Sequence, residues 1–305
     1  MSLNFQNDLV VAISSRALFD LELENEIYEK EGLKAYAYYQ IEHEDDVLKT
    51  GPGFQLVKAL LRLNDKIKAK TQSKAEIIIM SRNNADTSLR IFNSLEHYGL
   101  NISRATLTGG APISPYLSAF STDLFLSANY DDVQNAIDSN IAAGLICTDK
   151  RLLFDTNKEI EQIRIAFDGD AVLFSDASEK IYKEKGLEAF LEYEKINARK
   201  QLPDGPFAKL LRTLSFIQRQ YPAQSAPIRT ALVTSRNAPA HERVIRTLRD
   251  WKVRIDEAFF LGGMDKSQVL QAFGAHIFFD DQAIHVDPAS NLVPSALVPI
   301  KHKTE

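Results

Sequence analysis

The chain of 305 residues is poor in several things that would assign it to a class at once. Its single cysteine, Cys147, excludes an internal disulfide and suits a reducing compartment. No stretch approaches the roughly 20 uninterrupted apolar residues that span a bilayer, so the sequence predicts no membrane segment. The opening residues, MSLNFQNDLVVAISSR, lack a basic segment followed by a long apolar run, and predict no signal peptide. No His/Cys spacing suggests zinc. The formal net charge is -5, with lysines and arginines interspersed among acids, so the electrostatic footprint of nucleic-acid binding is absent. With 45% hydrophobic and 25% charged residues, the chain can bury one large core or two ordinary ones. These absences predict a cytoplasmic protein.

What the chain does have is a series of polar signals at the ends of apolar runs. In Phe167-Asp168-Gly169-Asp170-Ala171-Val172-Leu173-Phe174, two aspartates follow a predicted buried strand. Alternation along an extended chain would send their carboxylates to opposite faces; Gly169 predicts a turn that lets both converge on one cation or phosphate. A D-x-D of this kind also suits a turn or an Asx cap. Ile228 to Val233 runs into Thr234-Ser235-Arg236-Asn237, and Ile277-Phe278-Phe279 into Asp280-Asp281. Gly262-Gly263-Met264-Asp265-Lys266 opens a short helix, where Asp265 and Gln268 have capping-box spacing and Lys266 sits against the helix dipole. In open parallel sheets, ligands gather outside the carboxyl ends of the strands. All four signals fall there.

Their order resembles the four motifs of the haloacid dehalogenase superfamily of phosphohydrolases. The resemblance is tighter to the cytosolic 5'-nucleotidase I family, and rests on AISSRALFD, FDGDAVLFSD, TSRNAPAHERVIRTLR, FFLGGMDK and IFFDDQ. It implies an α/β fold with a haloacid-dehalogenase-like Rossmannoid parallel sheet and a helical cap insertion. It also implies roles. Asp168 would be the nucleophile that forms an aspartyl-phosphate, and Asp170 the acid/base on the leaving 5'-oxygen. Asp168, Asp170 (through its backbone carbonyl), Asp280 and Asp281 would serve a Mg2+ site. Thr234 and Lys266 would hold the transferring oxygens, and Asp281 would orient Lys266 or a metal-bound water. Ser235, Arg236, Asn237, Gly263 and Phe174 are candidate substrate contacts. The implied substrate is a nucleoside 5'-monophosphate, AMP or a deoxynucleoside monophosphate, and the family's members are homo-oligomers responsive to nucleotide effectors. Two alternatives stand beside this reading: a phosphatase for another small phosphomonoester such as a sugar phosphate, and a non-catalytic nucleotide-binding regulator.

The chain also repeats itself. Ala12 to Ala17 aligns with Ala166 to Ala171 at an offset of 154 (168 minus 14). Gly51-Pro52 aligns with Gly205-Pro206 and Ser81-Arg82-Asn83 with Ser235-Arg236-Asn237 at the same offset; Gly109-Gly110 matches Gly262-Gly263 at 153 (262 minus 109). Two halves follow, 1–150 and 151–305. Only the second carries the chemistry, because Ser14, Arg16, Ile113, Ser127 and Ala128 replace Asp168, Asp170, Lys266, Asp280 and Asp281. The first half reads either as scaffold or as a second anion or effector site built from Ser14, Arg16, Ser81, Arg82 and Asn83. In the latter case Arg16 would fork onto phosphate, as effector site or as part of the catalytic cleft.

Each half has an insert after its first motif. In the second, about 175–226, a helix ending at Gly186, a second through Tyr193, a Leu202-Pro203-Asp204-Gly205-Pro206 turn and a third helix through Ile217 predict a cap. Phe174, Tyr193 and Asn197 suit core packing first, and base or ribose contacts second. The tail after Pro288 reads as irregular.

Overall fold

The computed structural model describes residues 8–66, 73–148 and 159–302; the boundary expected between 150 and 151 lies outside the described residues. Short aliphatic runs form the strands: β1 (Leu9–Ile13), β2 (Phe19–Asp20), β3 (Lys49–Thr50), β4 (Ala75–Ser81), β5 (Arg104–Leu107), β6 (Leu124–Ser127), β7 (Ala142–Ile146), β8 (Ile163–Phe167), β9 (Ile228–Thr234), β10 (Glu257–Phe260), β11 (Ile277–Asp280) and β12 (Ser295–Leu297). Strand β1, Leu-Val-Val-Ala-Ile, is buried at every position, and β9 at all but Arg229. Such unbroken apolar runs, without polar alternation, belong to parallel strands covered by helices on both faces. The fold is α/β.

Ten strands make one sheet in the order β10-β9-β8-β11-β12-β7-β6-β1-β4-β5, and β2 and β3 form a separate ribbon. Read from each edge inward, the sheet has the same five-strand order twice. Within each half the strands are parallel; β12 and β7 meet antiparallel, with Ala296 opposite Ile146 and Leu297 opposite Leu145. The internal repeat is therefore a physical duplication joined edge to edge. Strand β12 corrects the expectation of an irregular tail. At three residues after Pro294 it is too short to show a pattern, and its pairing comes from the distant β7 and β11.

The antiparallel seam sends the carboxyl ends of β1 and β8 to opposite rims of the sheet. The first-half positions Ser14 and Arg16 thus stand at the far rim and do not line the second half's cleft.

Register also corrects the repeat. Ile13 pairs with Ile79, and its counterpart Phe167 pairs with Leu232, so the second strands correspond at an offset of 153 (232 minus 79). Ser81 Oγ accepts from the Asn83 N–H at 3.1 Å, and Thr234 Oγ1 accepts from the Arg236 N–H at 3.3 Å. Ser81 is therefore the counterpart of Thr234, and Asn83 of Arg236. The matching Ser-Arg-Asn triplets agree in letters but sit one position apart in space, because the inserts between the strands differ by one residue.

The repeated Gly-Pro is a matter of close approach. A Cβ on Gly205 would lie 2.4 Å from both Phe174 O and Val172 O, and one on Gly51 2.9 Å from the Phe19 backbone carbon. Only glycine lets the returning chain close on the turn after the first strand. In the second half the helix Ala177–Ile196 stands after that turn, broken at Gly186, whereas the helix Ala208–Gln218 buries Leu210, Leu211, Leu214 and Ile217 in the core. Among the described residues no helix is long and apolar enough to cross a membrane.

The seam is packed tightly at Gly144, where a Cβ would meet Ala296 Cβ at 2.8 Å and the Phe279 ring at 3.0 Å. Gly144→Ala is expected to lower unfolding stability by about 1–3 kcal/mol, read from urea denaturation; unchanged stability would contradict a close-packed seam.

Candidate active site

Asp168 leaves β8 with its N–H bonded to Phe279 O of β11 at 2.8 Å. This is the switch point of the second half, where the chain order reverses about β8 and where open α/β sheets hold ligands. The turn Gly169–Leu173 is a single π-type turn, a form frequent at functional sites. Its left-handed residue is Ala171, at φ 59°, not Gly169. Gly169 instead supplies room, since a Cβ there would lie 3.3 Å from Thr234 Oγ1. The turn is one residue wider than in the first half: Gly51 N–H reaches Leu18 O, whereas Gly205 N–H reaches Leu173 O. The two carboxylates diverge, which corrects the expectation that Gly169 would let them converge.

Asp168 turns to Lys266. The ammonium Nζ bonds Asp168 Oδ1 at 2.5 Å and Asp280 Oδ2 at 2.6 Å, and all three side chains are at most 7% exposed. Lys266 is the N-cap of the helix Ser267–Phe273, and Asp265 accepts from Ser267 rather than forming a capping box with Gln268. The lysine is held by Asp168 and Asp280; Asp281 is not among its partners, so of the two roles the resemblance implies for Asp281 the orienting of Lys266 is not seen. Asp280 Oδ1 accepts from the Gln282 N–H at 2.9 Å.

The site has more negative charge than Lys266 can neutralise. Ligand atoms of Asp168, Asp280 and Asp281 all lie within 4.8 Å of one another. Among the described residues, neither buried Asp281 carboxylate oxygen has a hydrogen-bond partner. Burial, reinforced by Asp168, Glu179 and Asp280, pushes Asp281 up to about 8. Burial pushes Asp168 up to about 7, against the pull of Lys266, and raises Asp280 also against Lys266. For Lys266 burial acts downward, and the two carboxylates more than offset it. Like charges in a desolvated pocket must be protonated or bound to a cation. Three hard oxygen donors, two oxygens of one of them unsatisfied, fit a divalent metal of the Mg2+ class.

Asp170 turns the other way. Arg236 forks onto it, Nε to Oδ2 at 2.8 Å and Nη2 to Oδ1 at 2.6 Å, and sends Nη1 to Glu194 Oε2 at 2.6 Å. With its side chain 2% exposed, Arg236 has its guanidinium committed inside the protein. Glu194, from the cap helix, carries no motif signal and was not picked out by the sequence; the only hint was its place on that helix. Thr234 is buried at the end of β9, and the buried Ser235 hydroxyl has no partner among the described residues. Asn237 lies beside Gly262 in the two-glycine turn with Gly263. Phe174 is fully buried, 5.4 Å from the Trp251 ring centroid, a packing role.

In the first half, Ser14 Oγ accepts from the Ala17 N–H, and Ser15 and Ser81 hydroxyls meet at 3.3 Å. Arg16 forks onto Glu22 at 3.0 and 2.8 Å, and Arg82 onto Asp132 at 2.8 and 2.5 Å.

The family model described as 5'-nucleotidase matches residues 1–305. Cytosolic 5'-nucleotidase 1B of Homo sapiens is 41% identical over 299 residues, covering 94% of this chain and 48% of that protein. The chain thus spans about half the length of this curated relative.

The raised carboxyls set a pH dependence. A carboxyl near 4 when unfolded, but near 7 or 8 when folded, binds more protons in the folded state between those values, so its contribution to stability falls as pH rises through that window. For Asp168 and Asp281 the window runs from about pH 4 to 8. Metal-free protein is expected to lose melting temperature from pH 5.5 to 8.5, and Mg2+ to raise it more at pH 8 than at pH 5.5. Calorimetric scans with and without Mg2+ check this; a stabilisation by Mg2+ that is larger at the lower pH would contradict it.

Proposed function

The chain belongs to the 5'-nucleotidase family, and on that footing we propose that it is a Mg2+-dependent phosphohydrolase cleaving nucleoside 5'-monophosphates, AMP or a deoxynucleoside monophosphate, to nucleoside and phosphate. The observation that carries the proposal is the buried set Asp168, Asp280, Asp281 and Lys266 at the carboxyl ends of β8 and β11. A phosphomonoester dianion repels carboxylates, so an aspartate nucleophile needs neighbouring positive charge. Asp168, Asp280 and Asp281, with the Asp170 backbone carbonyl, would hold Mg2+, which when bound neutralises phosphate charge.

The chain's own groups do the rest. Asp168 Oδ attacks phosphorus, the bond to the 5'-oxygen breaks, and an aspartyl-phosphate forms. Asp170 gives its proton to the leaving 5'-oxygen and then takes one from the water that cleaves the acyl-phosphate. Lys266, already bonded to Asp168, keeps its ammonium beside the transferring oxygens. Thr234 and the unpartnered Ser235 hydroxyl offer donors from the end of β9. Positioning and charge neutralisation carry most of phosphoryl transfer, and this inventory supplies both. The cytosolic relative and the lone Cys147 support a cytoplasmic location. The homo-oligomer and the nucleotide effector implied by the resemblance belong to the same proposal.

Phosphate release from a panel of nucleotides and sugar phosphates tests it. Nucleoside 5'-monophosphates should be preferred, and EDTA should stop turnover until Mg2+ is restored. Asp168→Asn, nearly isosteric but unable to form the acyl-phosphate, should lower kcat by on the order of 10³-fold or more with the fold intact. Full activity in verified metal-free buffer, or an Asp168→Asn enzyme close to wild type, would remove the mechanism.

A further inference from the structure

We infer that Arg236 is a positioning residue, tying the acid/base carboxylate of Asp170 to the cap helix through Glu194; the inference rests on the hydrolase reading above. The duplication supplies its own control. Both halves carry the same cap. Helices Glu22–Glu31 and Leu33–Glu42 hinge at Gly32 (φ 85°, ψ -178°), and the helix Ala177–Ile196 breaks at its counterpart Gly186 (φ 80°, ψ -179°). The Tyr28 and Tyr36 rings stand 6.0 Å apart at 84°, and the Tyr182 and Phe190 rings 6.2 Å apart at 82°.

Each cap is tied to the sheet layer by one arginine and one buried glutamate. Arg90 lies over the Tyr39 ring at 5.8 Å and bonds Glu24 at 2.6 Å. Its counterpart Arg243 lies over Tyr193 at 5.4 Å and bonds Glu194 at 2.9 Å. The acid has changed arms: Ser178 stands where Glu24 would be, Glu194 where Gln40 would be, and Ser178 Oγ donates to Glu194 at 2.7 Å. Since the half without a nucleophile keeps this tie, packing of the cap accounts for Arg243.

Packing accounts for part of Arg236, which lies over the cap's Phe190 ring at 5.4 Å, but not for its fork onto Asp170. Its counterpart is Asn83, whose side chain bonds Tyr36, and the first half anchors its cap without a second arginine. Only the half that has Asp170 has one. Glu194, 0% exposed, divides its oxygens, Oε1 to Arg243 and Ser178, Oε2 to Arg236. Arg236 then presents a fixed fork to Asp170. A guanidinium has no slack in that geometry, so the plane of the Asp170 carboxylate follows the seating of the cap. Each carboxylate oxygen keeps a further lone-pair site, and on one of these would sit the proton given to the leaving oxygen and later retaken from water. Lifting the cap would take Glu194 from Arg236 and Arg243 and strand buried charge, so the fork on Asp170 is braced only when the cap is seated.

The test uses leaving groups. p-Nitrophenolate departs as a stable anion, whereas the 5'-alkoxide of AMP needs a proton. We expect Arg236→Gln to lower kcat for AMP by about 10–100-fold, with little change in KM, and at least tenfold more than for p-nitrophenyl phosphate, as loss of general-acid assistance predicts. Arg236→Lys keeps the charge without the fork and should not rescue. Glu194→Gln, which retains neutral hydrogen bonds, should show the same leaving-group bias and serves if Arg236→Gln does not fold; circular dichroism and melting temperature establish folding. Equal losses on both substrates, a rise in KM at constant kcat, rescue by lysine, or no loss would each overturn the inference. Wild-type protein that hydrolyses neither substrate would instead overturn the hydrolase reading.

Discussion

Three carboxylates and one ammonium share a desolvated pocket at the ends of β8 and β11, and the rest of the second half depends on that imbalance. Lys266 meets Asp168 and Asp280 at 2.5 and 2.6 Å, and among the described residues no other side chain pairs with Asp281. Such a set persists only if protons or a cation complete it. The first half shows the same strand order with the imbalance gone. Ser14, Ser127 and Ala128 take the carboxylate positions, and Ile113, 1% exposed, takes the position of Lys266. The charges went as a set, as expected when a single survivor would be a buried, uncompensated ion.

The seam explains what the first half still contributes. Strand β12 has only three residues and would be a weak, exposed edge alone. Pairing with β7 covers that edge and continues one sheet through both halves. Because the pairing is antiparallel, the two sets of strand ends face opposite rims. Among the described residues the buried carboxylate cluster therefore stands at one rim, and at the other Arg16 and Arg82 are engaged by Glu22 and Asp132.

The strand ends and their polar residues were legible in the sequence because each is a local signal: an apolar run, then Asp168, Thr234 or Asp280. The duplication was legible from recurring residues, and the broken cap helix from Gly186. What escaped was set by distant contacts. The partner of Asp170 is Arg236, 66 residues away, and that of Arg236 is Glu194. Ala171, not Gly169, takes the left-handed turn, in a turn one residue wider than its first-half counterpart, and that width is set by where the returning Gly205 bonds. The one-position shift of Ser81-Arg82-Asn83 against its apparent match appears only in strand register.

The central claim is that Asp168 is covalently phosphorylated during turnover and that the first half takes no part in that chemistry. Acid-quenching the enzyme during steady-state hydrolysis of AMP, followed by peptide mass spectrometry, addresses it directly. The account predicts an acid-stable phosphoryl group on the peptide carrying Asp168, absent without Mg2+ and absent from first-half peptides. Phosphate on Asp170 or in the first half, or turnover with no covalent intermediate under any quench, would contradict it.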